Sequence, residues 1–210
     1  MKVAIVKYNA GNVQSVRFAL ERLGVQSIWT DDPEELRRAE RVIFPGVGEA
    51  SSAMRFLRGR GLDEVICSLR QPVLGICLGL QLFCRHSEEN DTTCLGIFDA
   101  EVRKFQNTKV KISNPKSPIS NLQSLKVPHI GWNKLCNLRG ALFEGVTEES
   151  FAYFVHSYYA EENPATVATT DYGVTFSAAL HRDNFYAVQF HPEKSSAVGQ
   201  QILSNFLKIK

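Results

Sequence analysis

A cysteine between two glycines is the residue of this chain best placed to do chemistry. Cys77 follows the apolar run 73–76, which predicts a buried strand, and precedes the helix-forming segment 78–85. Gly75 and Gly79 flank it, and a nucleophile at a sharp strand-to-helix turn needs such small neighbours. The helix that follows directs free amide N–H groups and a positive dipole end at the sulfur, which favours the reactive thiolate. Taken alone, this pattern also fits a structural cysteine in a Gly-interrupted strand.

A histidine and a glutamate further along the chain could complete a catalytic group. A thiolate nucleophile works with a histidine that shuttles the proton and a third group that orients the ring. His191 and Glu193 follow the strand-like segment 187–190, and Pro192 disfavours the helical conformation for His191. In an extended segment residues i and i+2 point the same way, so the carboxylate can hold one ring nitrogen while the other faces a sulfur. The alternative is a surface His and Glu that flank a turn.

The first half of the chain alternates strands and helices that would position Cys77. Strand-like apolar runs cover 3–6, 25–30, 41–44 and 72–76. Helices are predicted over 13–23, from Pro33 with Asp32 as N-cap, and over 49–58 and 62–69. This alternation predicts a parallel sheet with helices on both faces. Ligands bind such sheets at the carboxyl ends of the strands, where the Gly-rich turns 45–48 and 75–79 fall.

The second half has a different pattern. Segment 105–126 is rich in Asn, Ser, Pro and Lys, which predicts a solvated loop or an extra hairpin. Short β-like runs then cover 151–159, 165–170, 175–180 and 185–190, and the turns between them predict antiparallel pairing. We expect a last helix over 195–207, with these residues buried: Val198, Ile202, Leu203 and Phe206. No internal repeat or domain boundary is evident, so we expect one domain over 1–210.

Composition narrows the class of protein. The 210 residues carry a formal net charge of +2, which predicts no nucleic-acid footprint. Five irregularly spaced cysteines form no Cys-x-x-Cys pair and no zinc pattern, so we expect no metal and no cofactor. The N-terminal apolar run has the length of a strand rather than of a signal peptide, and no stretch approaches the ~20 apolar residues of a membrane span. We therefore expect a cytoplasmic protein with free thiols that contacts neither nucleic acid nor membrane.

Several of these residues occur together in one known family. The segments Pro45-Gly46-Val47-Gly48, Gly75-Ile76-Cys77-Leu78-Gly79 with Gln81, and His191-Pro192-Glu193 resemble class I, triad-type glutamine amidotransferases, in the family's order. Within that family, segments 128–133, 153–158 and 191–195 resemble the glutaminase subunits of imidazole glycerol phosphate synthases. The segment 105–126 is longer than the family usually has.

The resemblance implies a fold and a reaction. The fold is a flavodoxin-like three-layer α/β fold, with a central mostly parallel sheet, helices on both faces and antiparallel additions in the C-terminal half. The reaction is hydrolysis of glutamine to glutamate and ammonia. Cys77 would be the nucleophile and His191 the general acid and base, with Glu193 orienting the imidazole.

The resemblance also implies an oxyanion hole and a substrate pocket. One oxyanion donor would be the N–H of Leu78, and the other that of Val47 or Gly48, where glycine permits a peptide flip. Residues implied to bind the substrate glutamine are Gln81, Ser157 and Tyr158.

A partner protein follows from the same resemblance. Ammonia released into water would be protonated and lost, so the family delivers it through an internal channel to a cyclase subunit with a (β/α)8-barrel fold. That heterodimer makes imidazole glycerol phosphate and AICAR in histidine biosynthesis. Positions implied to lie near the interface are Asn12, Trp132, Tyr153 and Lys194. Half-buried core aromatics and a solvated lysine are the alternatives for them.

Three other functions stay open at this stage. The chain could be a glutaminase of the same fold that serves the synthesis of anthranilate, guanylate or pyridoxal phosphate, or surface-sugar amidination. It could be a non-catalytic binding protein on this scaffold, or a cysteine hydrolase for peptides or γ-glutamyl compounds. The acceptor that is aminated, and the requirement for a partner, would distinguish them.

Overall fold

The computed structural model describes residues 1–9, 13–106, 109–112 and 121–209, of which 109–112 and 121–123 are described as backbone. The strands of these residues are β1 (Val3–Val6), β2 (Ser27–Thr30), β3 (Arg41–Gly46), β4 (Val73–Cys77), β5 (His86–Ser87), β6 (Thr92–Thr93), β7 (Glu101–Lys104), β8 (Lys109–Ile112), β9 (Asn121–Ser124), β10 (His129–Lys134), β11 (Phe151–His156), β12 (Tyr158–Ala160), β13 (Thr166–Asp171), β14 (Thr175–Arg182) and β15 (Phe185–Val188). The helices are α1 (Val13–Arg22), α2 (Pro33–Arg38), α3 (Ala50–Gly59), α4 (Leu62–Ser68), α5 (Leu78–Phe83) and α6 (Ser196–Lys208).

A mostly parallel sheet with the strand order β13-β14-β15-β4-β3-β1-β2 forms the centre of the fold. β1 to β4 run parallel to one another, and β15 joins them as a parallel neighbour of β4. β13 and β14 extend the sheet antiparallel to β15. The predicted parallel sheet with antiparallel additions is therefore confirmed, and β15 places the strand before His191 beside the strand that ends at Cys77.

Apolar side chains on the two faces of the sheet pack into separate cores. All four residues of β1 are buried; Ala4 and Val6 face one core, whereas Val3 and Ile5 face the other. The first core includes residues of α2, α3, α4 and α5, and the second includes residues of α1 and α6. Helices thus cover both faces, which gives the expected three-layer α/β fold.

Local sequence signals set several helix ends. The Asp32 side chain accepts hydrogen bonds from Glu34 N and Glu35 N at 2.7 and 3.2 Å, so the predicted N-cap of α2 is confirmed. In α6 the apolar face buries Ile202, Leu203 and Phe206 as predicted, while Val198 is only half-buried. None of the helices in the described residues has the length and hydrophobicity needed to cross a bilayer.

The run 151–159 is not one strand, as the sequence predicted, but two. β11 pairs with β10, and β12 pairs with β7 in a separate sheet, with Ser157 between them. β-Propensity is continuous through this run, so nothing local marks the point at which the chain changes partners. Ser157, at this break, lines the pocket described below.

The polar segment 105–126 contains two paired strands. β8 and β9 form an antiparallel pair, which favours the hairpin over the solvated loop. Residues 107–108 and 113–120 of this segment lie outside the described residues.

Candidate active site

Cys77 occupies the sharp turn that its glycine neighbours predicted. It ends β4 with φ 54° and ψ −107°, a conformation that non-glycine residues rarely adopt, and α5 begins at the next residue. A Cβ atom at Gly79 would lie 2.0 Å from the carbonyl oxygen of Phe44, and one at Gly75 would lie 2.7 Å from the ring of Phe83. The turn therefore tolerates no side chain at either glycine, and it holds the Cys77 side chain at the carboxyl edge of the sheet.

His191 reaches Cys77 because β15 runs parallel to β4. The register pairs Val188 with Ile76, so the residues beyond β15 lie beside the turn that carries Cys77. His191 Nδ1 lies 2.8 Å from Glu193 Oε1, and both side chains are 2% exposed. Its Nε2 atom is buried without a hydrogen-bond partner among the described residues, and Cys77 lies close enough to the ring to shift its pKa. The structure thus brings together the three residues predicted as a triad.

The charge of His191 depends on these two neighbours. Burial is the largest single influence and lowers the pKa of His191, because it disfavours the charged ring. Hydrogen bonding and charge from Cys77 and Glu193 outweigh burial and raise the pKa of His191 to about 10. Near neutral pH the ring is therefore an imidazolium, poised to give up a proton.

The pairing of His191 with Glu193 arises from a different backbone than predicted. His191 itself is extended, with φ −97° and ψ 96°, but Pro192–Lys194 forms a 3-10 turn in which Lys194 N donates to His191 O at 3.0 Å. The expectation of an extended segment through Glu193 is therefore wrong. The fixed φ of proline suits the first position of a helical turn as well as an extended chain.

The loop predicted to contribute to an oxyanion hole lies beside Cys77. β3 continues to Gly46, which pairs with Cys77, so the strand ends two residues later than predicted. Gly48 then adopts φ +121°, a value that favours glycine. Val47, Gly48 and Leu78 line a pocket of about 330 Å³ together with Cys77.

The residues expected to bind glutamine line the same pocket. They are Gln81, Ser157 and Tyr158. Gln81 is 4% exposed, and its Nε2 donates to Tyr158 O at 2.9 Å and to Gln189 Oε1 at 3.1 Å. Both of its N–H groups therefore hold the wall of the pocket, which leaves the Gln81 side-chain oxygen for a ligand.

Three polar residues at this pocket or in contact with Cys77 were not predicted from the sequence as part of the site. Glu89 and His156 line the pocket, and Gln189 donates from Nε2 to Cys77 Sγ at 3.7 Å. Gln189 lies two residues before His191, so the period of an extended chain could have placed it on the same side. Glu89 follows a two-residue strand that has no sequence signal.

Three of the residues predicted for a partner interface lie close to one another. Trp132 is 52% exposed and meets Tyr153 edge to face at 6.0 Å, and Lys194 Nζ lies 5.9 Å from the Tyr153 ring centre. His191 N donates to Tyr153 O at 2.9 Å, and Ser195 Oγ accepts from Tyr153 N at 2.9 Å. The backbone of this cluster is therefore joined directly to the turn that carries His191 and Glu193. Asn12 lies outside the described residues.

Comparison with known proteins gives a consistent result. The family described as glutamine amidotransferase class-I matches residues 4–209. The imidazole glycerol phosphate synthase subunit HisH of Bacteroides thetaiotaomicron is 55% identical over 100% of both chains. The same-named subunit of Shewanella loihica is 41% identical over 98% of this chain and 89% of its own.

Solved structures share the fold at lower identity. A crystal structure from Thermoplasma acidophilum, described as that of a GMP synthase component, has a TM-score of 0.71 and 22% identity, covering 99% of this chain and 92% of its own. A structure described as a glutamine amidotransferase has a TM-score of 0.70 and 17% identity, over 98% of this chain and 97% of its own.

Proposed function

This chain belongs to the class I glutamine amidotransferase family, and we propose from that premise that Cys77, His191 and Glu193 are the catalytic triad with which it hydrolyses glutamine. The chain is the glutaminase subunit of an imidazole glycerol phosphate synthase, and it releases the ammonia that this synthase uses in histidine biosynthesis. The position of the His191 ring is the observation that best supports this triad. Nδ1 lies 2.8 Å from a buried carboxylate, which leaves Nε2 as the nitrogen available to Cys77, whose charge acts on the ring.

The reaction proceeds in two steps. The Cys77 thiolate attacks the amide carbon of glutamine, and the His191 imidazolium donates its proton to the departing nitrogen, so that ammonia leaves and a thioester remains. Neutral His191 then takes a proton from water, and the hydroxide attacks the thioester and releases glutamate and the thiolate. Glu193 keeps Nδ1 protonated and the ring oriented throughout.

An oxyanion develops on the former amide oxygen in both steps. Leu78 N–H, at the start of α5, is one donor, and the N–H of Val47 or Gly48 is the other. Such a donor is worth ~10²–10³ in rate. The positive φ of Gly48 supports this loop as the part that can rotate a peptide toward the pocket.

The substrate's amino-acid end lies against Ser157, Tyr158 and Glu89 in this proposal. Glu89 accepts a hydrogen bond from Ala50 N at 2.7 Å, and partial burial raises the pKa of its carboxyl. An α-ammonium group beside Glu89 would restore the stabilisation that burial removes from the carboxylate. Gln81 offers its side-chain oxygen to the same ligand.

The partner in this proposal is the cyclase subunit of the synthase, a (β/α)8 barrel that forms a heterodimer with this chain. The exposed side chains of Ile130 and Trp132 on β10, at 60% and 52%, suit an apolar contact with it. Lys194, against Tyr153, adds a positive charge to the same face.

The decisive test uses Cys77→Ala in the complex with the cyclase. We expect glutamine-dependent synthesis to be abolished and ammonia-dependent synthesis to persist, because only the nucleophile is removed. Cys67→Ser, an exposed cysteine away from the pocket, serves as the matched control and should retain both rates. Glutamine turnover by Cys77→Ala would refute the proposed nucleophile.

A second test addresses the coupling of the two proteins. Glutamine hydrolysis by this chain is measured alone and after addition of the cyclase. A large rise in rate is expected, because the oxyanion loop is completed by the partner. An equal rate in both conditions would contradict the proposed coupling.

A further inference from the structure

A fully buried glutamine lies within hydrogen-bonding distance of the Cys77 sulfur. Gln189 has no exposed surface, and its Nε2 lies 3.7 Å from Cys77 Sγ. It immediately follows β15, whose last residue, Val188, pairs with Ile76 of β4. Two adjacent parallel strands therefore deliver the amide and the thiol to the same point, and Gln189 N is fixed by donation to Ala178 O at 2.8 Å.

The orientation of this amide is set by a chain of hydrogen bonds. The carbonyl oxygen of Tyr158 can only accept, so the part of Gln81 that lies 2.9 Å from it must be the NH₂ group. The same NH₂ group lies 3.1 Å from Gln189 Oε1, so Gln189 must present its oxygen to Gln81. The NH₂ group of Gln189 is then turned toward the sulfur and cannot exchange places with the oxygen without breaking this chain.

We infer that Gln189 is a positioning residue for the nucleophile, whose side-chain amide donates a hydrogen bond to Cys77 Sγ and holds the sulfur as a thiolate beside His191. This inference rests on the proposed function, because it assigns a role within the same reaction. The thiol has a competing contact, since Sγ also lies 3.8 Å from the carbonyl oxygen of Val155. That oxygen accepts from the thiol, whereas Gln189 donates to the thiolate, so Gln189 selects the reactive form.

Among the described residues, few other titratable side chains lie near the sulfur of Cys77. His191 supplies a positive charge from the turn after β15. His156 on β11 and Tyr8 after β1 are neutral near pH 7, because burial lowers the pKa of His156 to about 3 and raises the pKa of Tyr8 far above its usual value. Glu89 lines the same pocket as Cys77. Among these side chains, Gln189 is therefore the neutral one that donates to the sulfur, beside the charge of His191.

The test replaces the amide while keeping its shape. Gln189→Met has the same length without a donor, and Gln189→Glu can still accept from Gln81 but directs a carboxylate oxygen at the sulfur. Gln71→Met is the matched control. It removes an amide that donates to Leu36 O at 2.7 Å, at the other end of β4.

Two readouts separate positioning from folding. In the complex with the cyclase, kcat and KM for glutamine are measured for each variant. In parallel, the rate at which iodoacetamide alkylates Cys77 is followed against pH by mass spectrometry of the peptide that contains Cys77. A merely structural role would not move the pH midpoint of alkylation.

We expect Gln189→Met to lower kcat by about tenfold or more, with KM changed less than about threefold. The pH midpoint of alkylation should rise by about one pH unit, because a hydrogen bond to a charged acceptor is worth about a factor of ten. Gln189→Glu should raise the midpoint further, and Gln71→Met should match the wild type. If Gln189→Met does not fold, the kcat, KM and alkylation midpoint of Gln189→Glu decide the test.

An alkylation midpoint unchanged in both Gln189 variants would overturn the inference. Absence of glutamine hydrolysis by the wild-type complex would instead refute the proposed function, so the two failures are distinguishable.

Discussion

The side chains of the proposed triad are almost fully shielded from water. Cys77 is 5% exposed and His191 is 2% exposed, and the Glu193 side chain is 2% exposed. Charges in such a setting interact more strongly than at a surface, so Cys77 and Glu193 act strongly on the protonation of His191. Cys77 and the Glu193 carboxylate together hold His191 as an imidazolium.

Removal of the thiol should therefore change the titration of His191. In Cys77→Ala we expect the pKa of His191 to fall from about 10, because both contributions of Cys77 that raise it are lost while burial continues to lower it. An NMR pH titration of the ring resonances measures this shift. Cys67→Ser should leave the titration unchanged, and an unaltered pKa in Cys77→Ala would contradict the described contact.

The proposed role of Glu89 can be tested at one position. Glu89→Gln removes the negative charge that faces the pocket and should raise KM for glutamine by about tenfold to a hundredfold, since a hydrogen bond to a charged group is lost, with kcat little changed. Glu88→Gln is the matched control, because Glu88 pairs with Arg103 and Lys104 N away from Cys77. Steady-state kinetics at varied glutamine concentration would show equal KM values if Glu89 does not bind the substrate.

Some residues of the proposed site could be predicted from the sequence, and others could not. Cys77 and His191 could be chosen because their neighbours, Gly75, Gly79 and Pro192, impose recognisable backbone constraints. Glu89 could not, because its relevance depends on what lies across the pocket from it, and the period that places Gln189 on the side of His191 does not indicate what Gln189 faces. A buried amide has the same local pattern whether or not it faces a sulfur.

Among the elements, the turn Pro192–Lys194 and helix α6 are packed backbone to backbone. A Cβ atom at Gly199 of α6 would lie 1.9 Å from Pro192 O, so no side chain fits there. Ser195 Oγ donates to His191 O at 2.7 Å, which joins the turn to the start of the same helix. The position of Glu193 thus depends on how closely α6 approaches.

Gly199→Ala should consequently damage activity as well as stability. The added methyl must push the turn 192–194 away from α6, which moves Glu193 relative to His191. We therefore expect kcat to fall about tenfold or more. The free energy of unfolding should fall by about 1–3 kcal/mol, as at other overpacked sites. Gly59→Ala at the end of α3 meets no atom within 4 Å and should be neutral or slightly stabilising. Urea denaturation and glutaminase assays measure both effects, and wild-type kcat in Gly199→Ala would refute this dependence.

Element prediction succeeded where the signal is local. Strands β1 and β4 and helix α2 follow from continuous apolar runs and from the capping residue Asp32. The division of 151–159 into β11 and β12 could not be predicted, because it depends on β7 and β10 as partners. The short strands β5 and β6 were likewise missed, since two residues carry no periodicity.

At the scale of the whole molecule, a pair of buried histidines links the pocket to the proposed interface. His129 Nδ1 lies 3.1 Å from His156 Nε2, and His156 Nδ1 donates to Tyr158 O at 2.7 Å. Asn133, next to Trp132 on β10, lies 3.4 Å from His129 Nε2 through its Nδ2. This arrangement requires both rings to be neutral.

The neutral rings predict destabilisation in acid. Burial lowers the pKa of His129 to about 4 and that of His156 to about 3, whereas an unfolded histidine titrates near 6.5. Between about pH 6.5 and 4 the unfolded chain binds more protons, so stability falls as the pH falls. His156→Gln should reduce this slope by up to about 1.4 kcal/mol per pH unit, the value for one proton. Urea denaturation at several pH values gives the slope, and equal slopes in variant and wild type would contradict the assignment.

The two tryptophans of the chain offer a test of the proposed interface. Trp132→Ala should weaken binding of the cyclase by about thirtyfold or more if Trp132 is a hot spot, which corresponds to roughly 2 kcal/mol. Trp29→Ala is the matched control, because Trp29 is 45% exposed on the edge strand β2. Titration calorimetry with the cyclase measures both affinities, and equal losses in the two variants would argue against an interface at β10.

The place of β15 in the sheet has a consequence for how the protein is made. Gln189 and Cys77 are 112 residues apart in the chain, yet β15 borders β4 in the middle of the sheet. Until residues 185–193 have emerged from the ribosome, β4 of the nascent chain is an open edge and Cys77 lacks His191 and Gln189 as neighbours. The proposed nucleophile therefore acquires these neighbours only when β15 has joined the sheet.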